Sequence, residues 1–337
     1  MQKYNYFNGF LFFTSQVTYL CDMRGEVIKS TGKWYKVLLE DGQTIQASIK
    51  GKLRLEGLKT TNPIAAGDVV DIKAIDASGE TVYTIRGIAK RKNYLVRKST
   101  NLSKQMQIIA ANVDRVYLVV TLKSPETQVA FIDRFLVAAE SYRIPTTILF
   151  NKIDLYGDDE LAQMDYLTEV YEPLGYPCNS IIAENQSSIE FLKQEIKNKK
   201  VMISGNSGVG KTTLVNSLDP GLSLRVGEIS KAHAQGKHTT TFSEMHALQS
   251  GGFIIDTPGI RAFGLVDLEK EHYAHYFPEM RALLGQCKFH NCMHMEEPKC
   301  AIKAAVDNEE IAPSRYMTYM QLMSEDSGDS YRRNDFK

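Results

Sequence analysis

The segment Gly205-Asn206-Ser207-Gly208-Val209-Gly210-Lys211-Thr212 constrains this chain more than any other. It matches GxxxxGK[ST], follows the apolar run Val201–Ser204 directly and opens a helical pattern over Lys211–Leu218. In a strand–loop–helix setting the glycines let backbone N–H groups converge on phosphate oxygens, the lysine reaches the terminal phosphates, and the threonine hydroxyl can bind Mg²⁺. These residues and Thr213 behind them are candidate nucleotide ligands, with Thr212 a candidate magnesium ligand. A Gly-rich turn of no special chemistry is the competing reading, and the flanking strand and helix patterns weigh against it.

Two further segments sharpen the chemistry. Asn151-Lys152-Ile153-Asp154 follows a second apolar run, Thr146–Phe150. A carboxylate at its fourth position can accept from both guanine N1–H and the N2 amino group. Adenine offers an acceptor and no amino group there, so Asp154 would favour GTP by leaving buried groups unpaired against the wrong base. Asp256-Thr257-Pro258-Gly259 begins on the last residue of a third run, Phe253–Asp256. Its aspartate suits a Mg²⁺ water shell, and the Gly259 amide a γ-phosphate contact. Either tetrapeptide alone is only a good turn; with the P-loop they specify a guanine-nucleotide site. GTPases ordinarily run P-loop, DxxG, NKxD, whereas here NKID comes first and DTPG last. A circular permutation accounts for that order, because domain termini lie at the surface and often close together. The loop after Gly259 then feeds straight into the C-terminal region, so loss of the γ-phosphate could reposition it.

With 337 residues the chain is long enough for two or three domains. Val27–Ser30, Trp34–Leu39, Thr44–Ile49, Asp68–Ile75 and Val82–Ile88 read as five short strands, with turns at Asp41-Gly42 and Ser78-Gly79. That pattern suits an OB-type or an SH3-like barrel. Residues 23–98 hold 15 Lys/Arg against 8 Asp/Glu, a surface that suits a polyanion, while 265–337 hold 9 against 13. Trp34 and Tyr35 are candidates to stack bases, with Lys33, Lys36, Lys50, Lys52 and Arg54 near phosphates. One of two adjacent strand residues must nevertheless face the core. Residues 89–104 look like a basic linker. Beyond them, buried strands alternate with helical patterns, the grammar of a doubly wound α/β domain. No apolar run approaches the roughly 18 residues of a membrane span. Phe7–Phe13 lacks the basic flank and cleavage site of a signal peptide. Residues 1–22 are expected to be an extension outside the fold that need not be native.

Three of the five cysteines form, with one histidine, the spacing C-x4-C-x-H-x5-C: Cys287, Cys292, His294 and Cys300. Three thiolates and an imidazole close a tetrahedral structural Zn²⁺ site with no open water position, so the metal has no expected catalytic role. His290 is a rival imidazole, and redox pairing of the cysteines is the alternative chemistry. Cys21 and Cys178 are expected to be unpaired bystanders. Few, odd-numbered cysteines fit a reduced, cytoplasmic compartment better than a disulfide framework.

In this order NKID, GNSGVGKTT, GKHTTT and DTPGIR, with the Cys/His cluster, resemble the RsgA family of circularly permuted bacterial GTPases over about residues 23–320. The resemblance implies an OB-fold RNA-binding domain over 23–92 and a permuted α/β P-loop GTPase domain over 93–264. A mainly helical zinc domain with a flexible tail would occupy 265–337. It also implies a cytoplasmic monomer that binds the small (30S) ribosomal subunit and its 16S rRNA late in maturation. The subunit would in turn stimulate hydrolysis of GTP to GDP and phosphate. The family's second guanine motif is usually Ser-Ala; here Ser180 is followed by Ile181, so Ser180 is a candidate base-side residue in a loop that departs from the pattern. Ile260 stands where many GTPases place a water-orienting glutamine. By resemblance His238 is the candidate to position the attacking water, and Thr239, Thr240 and Asp256 join Thr212 as candidates around Mg²⁺. A neutral imidazole can do this near pH 7; a polar loop residue or an RNA contact is the other reading of His238.

Three functional classes stay open. The first is a GTPase accelerated when the small subunit orders the loops around His238. The second is a nucleotide-gated RNA-binding assembly factor in which hydrolysis only resets binding. A P-loop ATPase or small-molecule kinase is the third, and Asp154 argues against it.

Overall fold

Five strands with inward apolar side chains form the N-terminal barrel: β1 (Thr18–Ser30), β2 (Trp34–Leu39), β3 (Thr44–Ile49), β4 (Val69–Ala77) and β5 (Glu80–Ile88). The computed structural model describes residues 18–49, 63–77, 80–98, 106–222, 243–256 and 269–325. Pairing runs β1–β2–β3–β5–β4 and returns from β4 to β1, with β3 parallel to β5 and the other pairs antiparallel. This closed circuit is the OB-type barrel rather than the SH3-like one. Val27, Val37, Ala47, Val70, Ile72 and Ile85 fill it. The strand period of two turns Tyr35 fully inward and leaves Trp34 42% exposed. Trp34 is therefore the aromatic available to a ligand, beside the exposed Lys33 and Lys36. Lys50, Lys52 and Arg54 lie outside the described residues.

Two expectations are corrected here. Thr18–Asp22 pair with residues 73–76 of β4, so the boundary expected at residue 23 falls inside a strand. Main-chain pairing recruits those residues where their side-chain pattern was weak. The expected linker over 89–104 contains β6 (Tyr94–Lys98), which pairs antiparallel with β7 (Met106–Ala111). Leu95, Ile108 and Ala110 are buried there, and Arg91 chelates the buried Asp68 carboxylate with two bonds of 2.6 Å. Of its basic residues, Arg91 pairs with Asp68 and Lys92 with Asp114, just ahead of a folded hairpin.

The α/β layer contains β8 (Arg115–Val120), β9 (Thr146–Asn151), β10 (Cys178–Ile181), β11 (Lys200–Ser204), β12 (Glu244–Ala247) and β13 (Phe253–Asp256). Helices α1 (Val129–Ser141), α2 (Asp158–Tyr171), α3 (Gln186–Ile196) and α4 (Lys211–Leu218) accompany them. Strand order is β10-β9-β8-β11-β13-β12, all parallel except β12. Growth of the sheet reverses direction between β8 and β11, which makes their carboxyl edge the switch point where such sheets bind ligands. The chain threads the β8–β10 half first and the β11–β13 half second, the connectivity expected of a permuted domain. A Lys29–Glu244 pairing joins β12 to β1, so barrel and α/β layer share one sheet.

The C-terminal module packs a 3₁₀ turn (Lys270–Tyr276) and helices Pro278–Arg281, Ala301–Asp307 and Pro313–Ser324 against Val137 of α1. At the centre of its junction with α1 lies a buried ionic cluster. Asp133 and Arg315 are both wholly buried, 3.0 Å apart. Asp133 also accepts from Thr318 and Tyr171 hydroxyls, each at 2.8 Å. Arg315 donates to Glu279 through Nε at 2.7 Å and Nη2 at 3.3 Å, and lies over the Phe277 ring at 4.7 Å. Among the described residues no helix is long and apolar enough to cross a membrane.

Removing one member of so buried a pair strands the other charge. Asp133→Ala should therefore cost about 3–5 kcal/mol in urea denaturation. Arg134→Ala, which breaks the half-exposed pair with Glu325, should cost less than about 1 kcal/mol.

Candidate nucleotide site and metal cluster

β11 delivers the P-loop to the switch point. Gly205 adopts φ +142°, and a Cβ there would stand 2.1 Å from the Val119 carbonyl of β8. At Gly210, the αL residue that caps α4 at φ +98°, a Cβ would stand 2.3 Å from Asn151 Nδ2. Only glycine permits either approach. Lys211 opens α4, and its Nζ donates to the carbonyls of Gly205 at 2.8 Å and Asn206 at 2.5 Å. The ammonium is thereby folded over the loop whose amides would receive phosphates. Val209 is buried, Asn206, Thr212 and Thr213 are half-buried, and Ser207 and Gly208 are exposed. The N-terminal end of α4 adds positive potential on the same side.

NKID meets this loop directly, although β8 separates their strands. The buried Asn151 side chain donates from Nδ2 to the Val209 carbonyl at 2.7 Å and accepts at Oδ1 from the Ala183 amide at 2.9 Å. Lys152, left-handed at φ 63°, donates to the carbonyls of Gly208 at 2.8 Å and Ser124 at 2.6 Å. Ile153 packs on the main core, and Asp154 stands exposed in the turn Ile153–Leu155. The base-side and phosphate-side motifs are thus bonded to each other across 58 residues of sequence.

Two participants escaped the sequence reading. Ser180 lies within β10, exposed and opposite Phe150; the residue of that segment that reaches Asn151 is Ala183, three positions further. Its contribution is a backbone amide, which no side-chain type advertises, and the parallel register Ile181–Asn151 is the one signal that anticipates it. The loop after β8 is the other. It holds Lys152 through Ser124, and its Pro125 would lie 3.4 Å from a Cβ on Gly208. Asp256 ends β13 beside β11, opposite Glu244. Its side chain, Gly259, and His238, Thr239 and Thr240 lie outside the described residues.

The Cys/His cluster assembles as its spacing suggested. Donor atoms of Cys287, Cys292, His294 and Cys300 all lie within 4.8 Å of one another. His294 Nδ1 is 3.5 Å from the sulfurs of Cys287 and Cys300, which are 3.9 Å apart. A tetrahedron with Zn–S arms of ~2.3 Å and a Zn–N arm of ~2.0 Å has edges of roughly 3.5–3.8 Å, so these donors fit a structural zinc ion. The same separation is far beyond the ~2.05 Å of a disulfide. Burial lowers the His294 pKa, which favours the neutral, ligating imidazole, and pushes the Cys292 thiol up to about 12, so a thiolate there needs a cation beside it. Glu297 clamps the backbone on both sides of His294, accepting from the amides of Met293 at 2.8 Å and Met295 at 2.9 Å. The Ala301 amide donates to Cys287 Sγ at 3.4 Å. His290 is exposed and stands outside the cluster.

Gly210→Ala should weaken GDP binding at least about tenfold in equilibrium titration, with the circular dichroism spectrum unchanged, because strain and the Asn151 contact are local. Freshly purified protein should carry one zinc by elemental analysis. Stripping it with a chelator should melt the C-terminal helices and leave the α/β layer folded.

Comparison with known proteins agrees with this architecture. The model of the RsgA GTPase domain matches residues 88–266, and that of the RsgA N-terminal domain matches residues 24–82. The small ribosomal subunit biogenesis GTPase RsgA of Christiangramia forsetii is 49% identical over 315 residues, 94% of this chain and 100% of the relative. That of Bacteroides fragilis is 48% identical over 92% of this chain and 99% of its own. Among solved structures, YjeQ from Thermotoga maritima superposes with a TM-score of 0.72 at 36% identity, covering 90% of this chain and 98% of the other. YloQ, described as a circularly permuted GTPase, superposes at 0.67 and 29% identity, covering 90% and 94%. Relatives are matched over nearly their whole length at nearly half their positions, one superposed neighbour is described as circularly permuted, and this chain belongs to the RsgA family of circularly permuted GTPases.

Proposed function

We propose that this GTPase serves biogenesis of the small ribosomal subunit, binding that subunit and its 16S rRNA as a cytoplasmic monomer and hydrolysing GTP in response. The observation that carries the reading is the Asn151 side chain, which bonds the P-loop to NKID and so makes one site of a phosphate cradle and a base reader. Its relatives are named for small-subunit biogenesis. In the barrel, the exposed Trp34 with Lys33 and Lys36 offers a stacking face and cations to single-stranded RNA.

Each group in the site has a definite task. Asp154 selects guanine. Lys211 and the amides at the start of α4 stabilise charge on the phosphoryl oxygens as the terminal phosphate is transferred to water. His238 orients that water, because Ile260 cannot. Thr212, with Asp256, Thr239 and Thr240, would hold Mg²⁺, which supplies further charge neutralisation at the phosphates. The zinc cluster keeps the C-terminal module folded and takes no part in the chemistry.

The test is the GTPase rate with and without purified small subunits, for wild type and His238→Ala. Subunits should accelerate the wild type, and the substitution should remove most of that gain, on the order of a hundredfold, while co-sedimentation in a non-hydrolysable GTP analogue persists. A rate that neither subunits nor the substitution alter defeats the stimulated-enzyme reading. Analogue-dependent co-sedimentation in that circumstance favours the assembly factor in which hydrolysis only resets binding.

A further inference from the structure

The turn that carries the base-side carboxylate is closed by a single phenol. Tyr156 Oη donates to the Asn151 carbonyl at 3.0 Å and accepts from the Leu122 amide at 2.9 Å, so it ties the head of NKID to the loop after β8. Two main-chain bonds tighten the same turn, from Leu155 N to Lys152 O at 2.9 Å and from Tyr156 N to Ile153 O at 3.1 Å. Lys152 makes a parallel tie to the loop after β8 through Ser124. That loop is itself braced, with Thr121 Oγ1 donating to the Pro125 carbonyl at 2.5 Å and Thr121 N to Thr127 Oγ1 at 3.1 Å. Among the described residues no hydrogen bond holds the Asp154 carboxylate, which stands exposed between these ties. The turn therefore fixes the backbone from which that side chain projects. Burial raises the Tyr156 pKa, so the phenol keeps its proton, and its donor role, throughout the neutral range.

We propose that Tyr156 is a positioning residue for base selection, its hydroxyl fixing the turn that aims Asp154 at the guanine N1–H and N2 amino group. The proposal rests on Asp154 being the guanine reader. A tyrosine that merely packed against the core would stabilise the fold without discriminating between bases. The hydroxyl differs because it ties the main chain three residues before Asp154 to the main chain of the loop after β8, and so holds the turn from which the carboxylate projects.

IDP lacks the N2 amino group and so withdraws one of the two bonds to Asp154. The GDP-to-IDP affinity ratio thus reads how well the carboxylate is aimed, and a general loosening weakens both nucleotides alike. Full-length wild type, Tyr156→Phe and Asp154→Asn should be titrated with each nucleotide, and their thermal melts recorded. Asp154→Asn should collapse the ratio towards one. Tyr156→Phe should weaken GDP about tenfold, the scale of one to two lost hydrogen bonds, and shrink the ratio at least about threefold. A wild-type ratio in Tyr156→Phe beside a collapsed one in Asp154→Asn overturns the role of Tyr156 and leaves the guanine reader standing, whatever the melts show. An undiminished ratio in Asp154→Asn overturns that reader and the proposal with it.

Discussion

The nucleotide site is organised around the side-chain amide of Asn151. At 1% exposure it donates to Val209 in the P-loop and accepts from Ala183 in the loop after β10, so the phosphate side and the base side hang from one planar group. Aspartate in its place could not donate, and alanine would leave a buried carbonyl and a buried amide without partners, each costing about 1–3 kcal/mol. The glycine at 210 follows from the same contact, because its α-carbon lies too near Nδ2 to carry a side chain. Lys152 repeats the motif at larger radius, bonding Gly208 and Ser124 with one ammonium. Loops that bind a nucleotide only weakly ordered would have to be fixed at the moment of binding; here main-chain carbonyls and amides are already engaged.

Around that centre the other two modules are attached by strand pairing and apolar packing, with ion pairs at both junctions. The barrel reaches the α/β layer through the Lys29–Glu244 pair and the Lys200–Glu26 pair. The zinc-type module reaches it through Asp133, Arg315 and Glu279, a buried cluster whose members all have partners. Buried ion pairs add little net stability, but leaving one partner uncompensated is costly, so separating the C-terminal helices from α1 would strand the Asp133 and Arg315 charges. The first residue of α1, Val129, follows the braced loop that receives Lys152. The module therefore leans on a helix that begins beside the nucleotide loops, and it is also where the chain leads after DTPG.

Much of this was legible in the residues. P-loop, NKID, DTPG and the C-x4-C-x-H-x5-C spacing announce their chemistry through side-chain type, and the fully buried stretch Val116–Val120 of β8 reads as a continuous apolar run. What stayed hidden has identifiable causes. In β6 only Leu95 is fully buried of the residues whose burial is described, amid charges that resemble a linker. β12 spans four residues with Met245 alone buried, too short for any period to emerge. The choice of barrel rests on β3 lying parallel to β5, which strand periodicity does not encode. Ala183 acts through its backbone and Tyr156 through a hydroxyl whose partners are main-chain atoms.

The amino-acid sequence by itself determined which motifs are present and in what order: a basic barrel, NKID, a P-loop, DTPG and a Cys/His quartet. Those follow from local composition and spacing, which need no knowledge of what lies across the sheet. Only the tertiary structure decided that Asn151 crosses the β8 strand to reach Val209, that Trp34 and not Tyr35 faces outward, and that a buried arginine locks the last helix onto α1. Such contacts depend on strand order and register, and hydrophobic periodicity specifies a face for each residue without naming its neighbour.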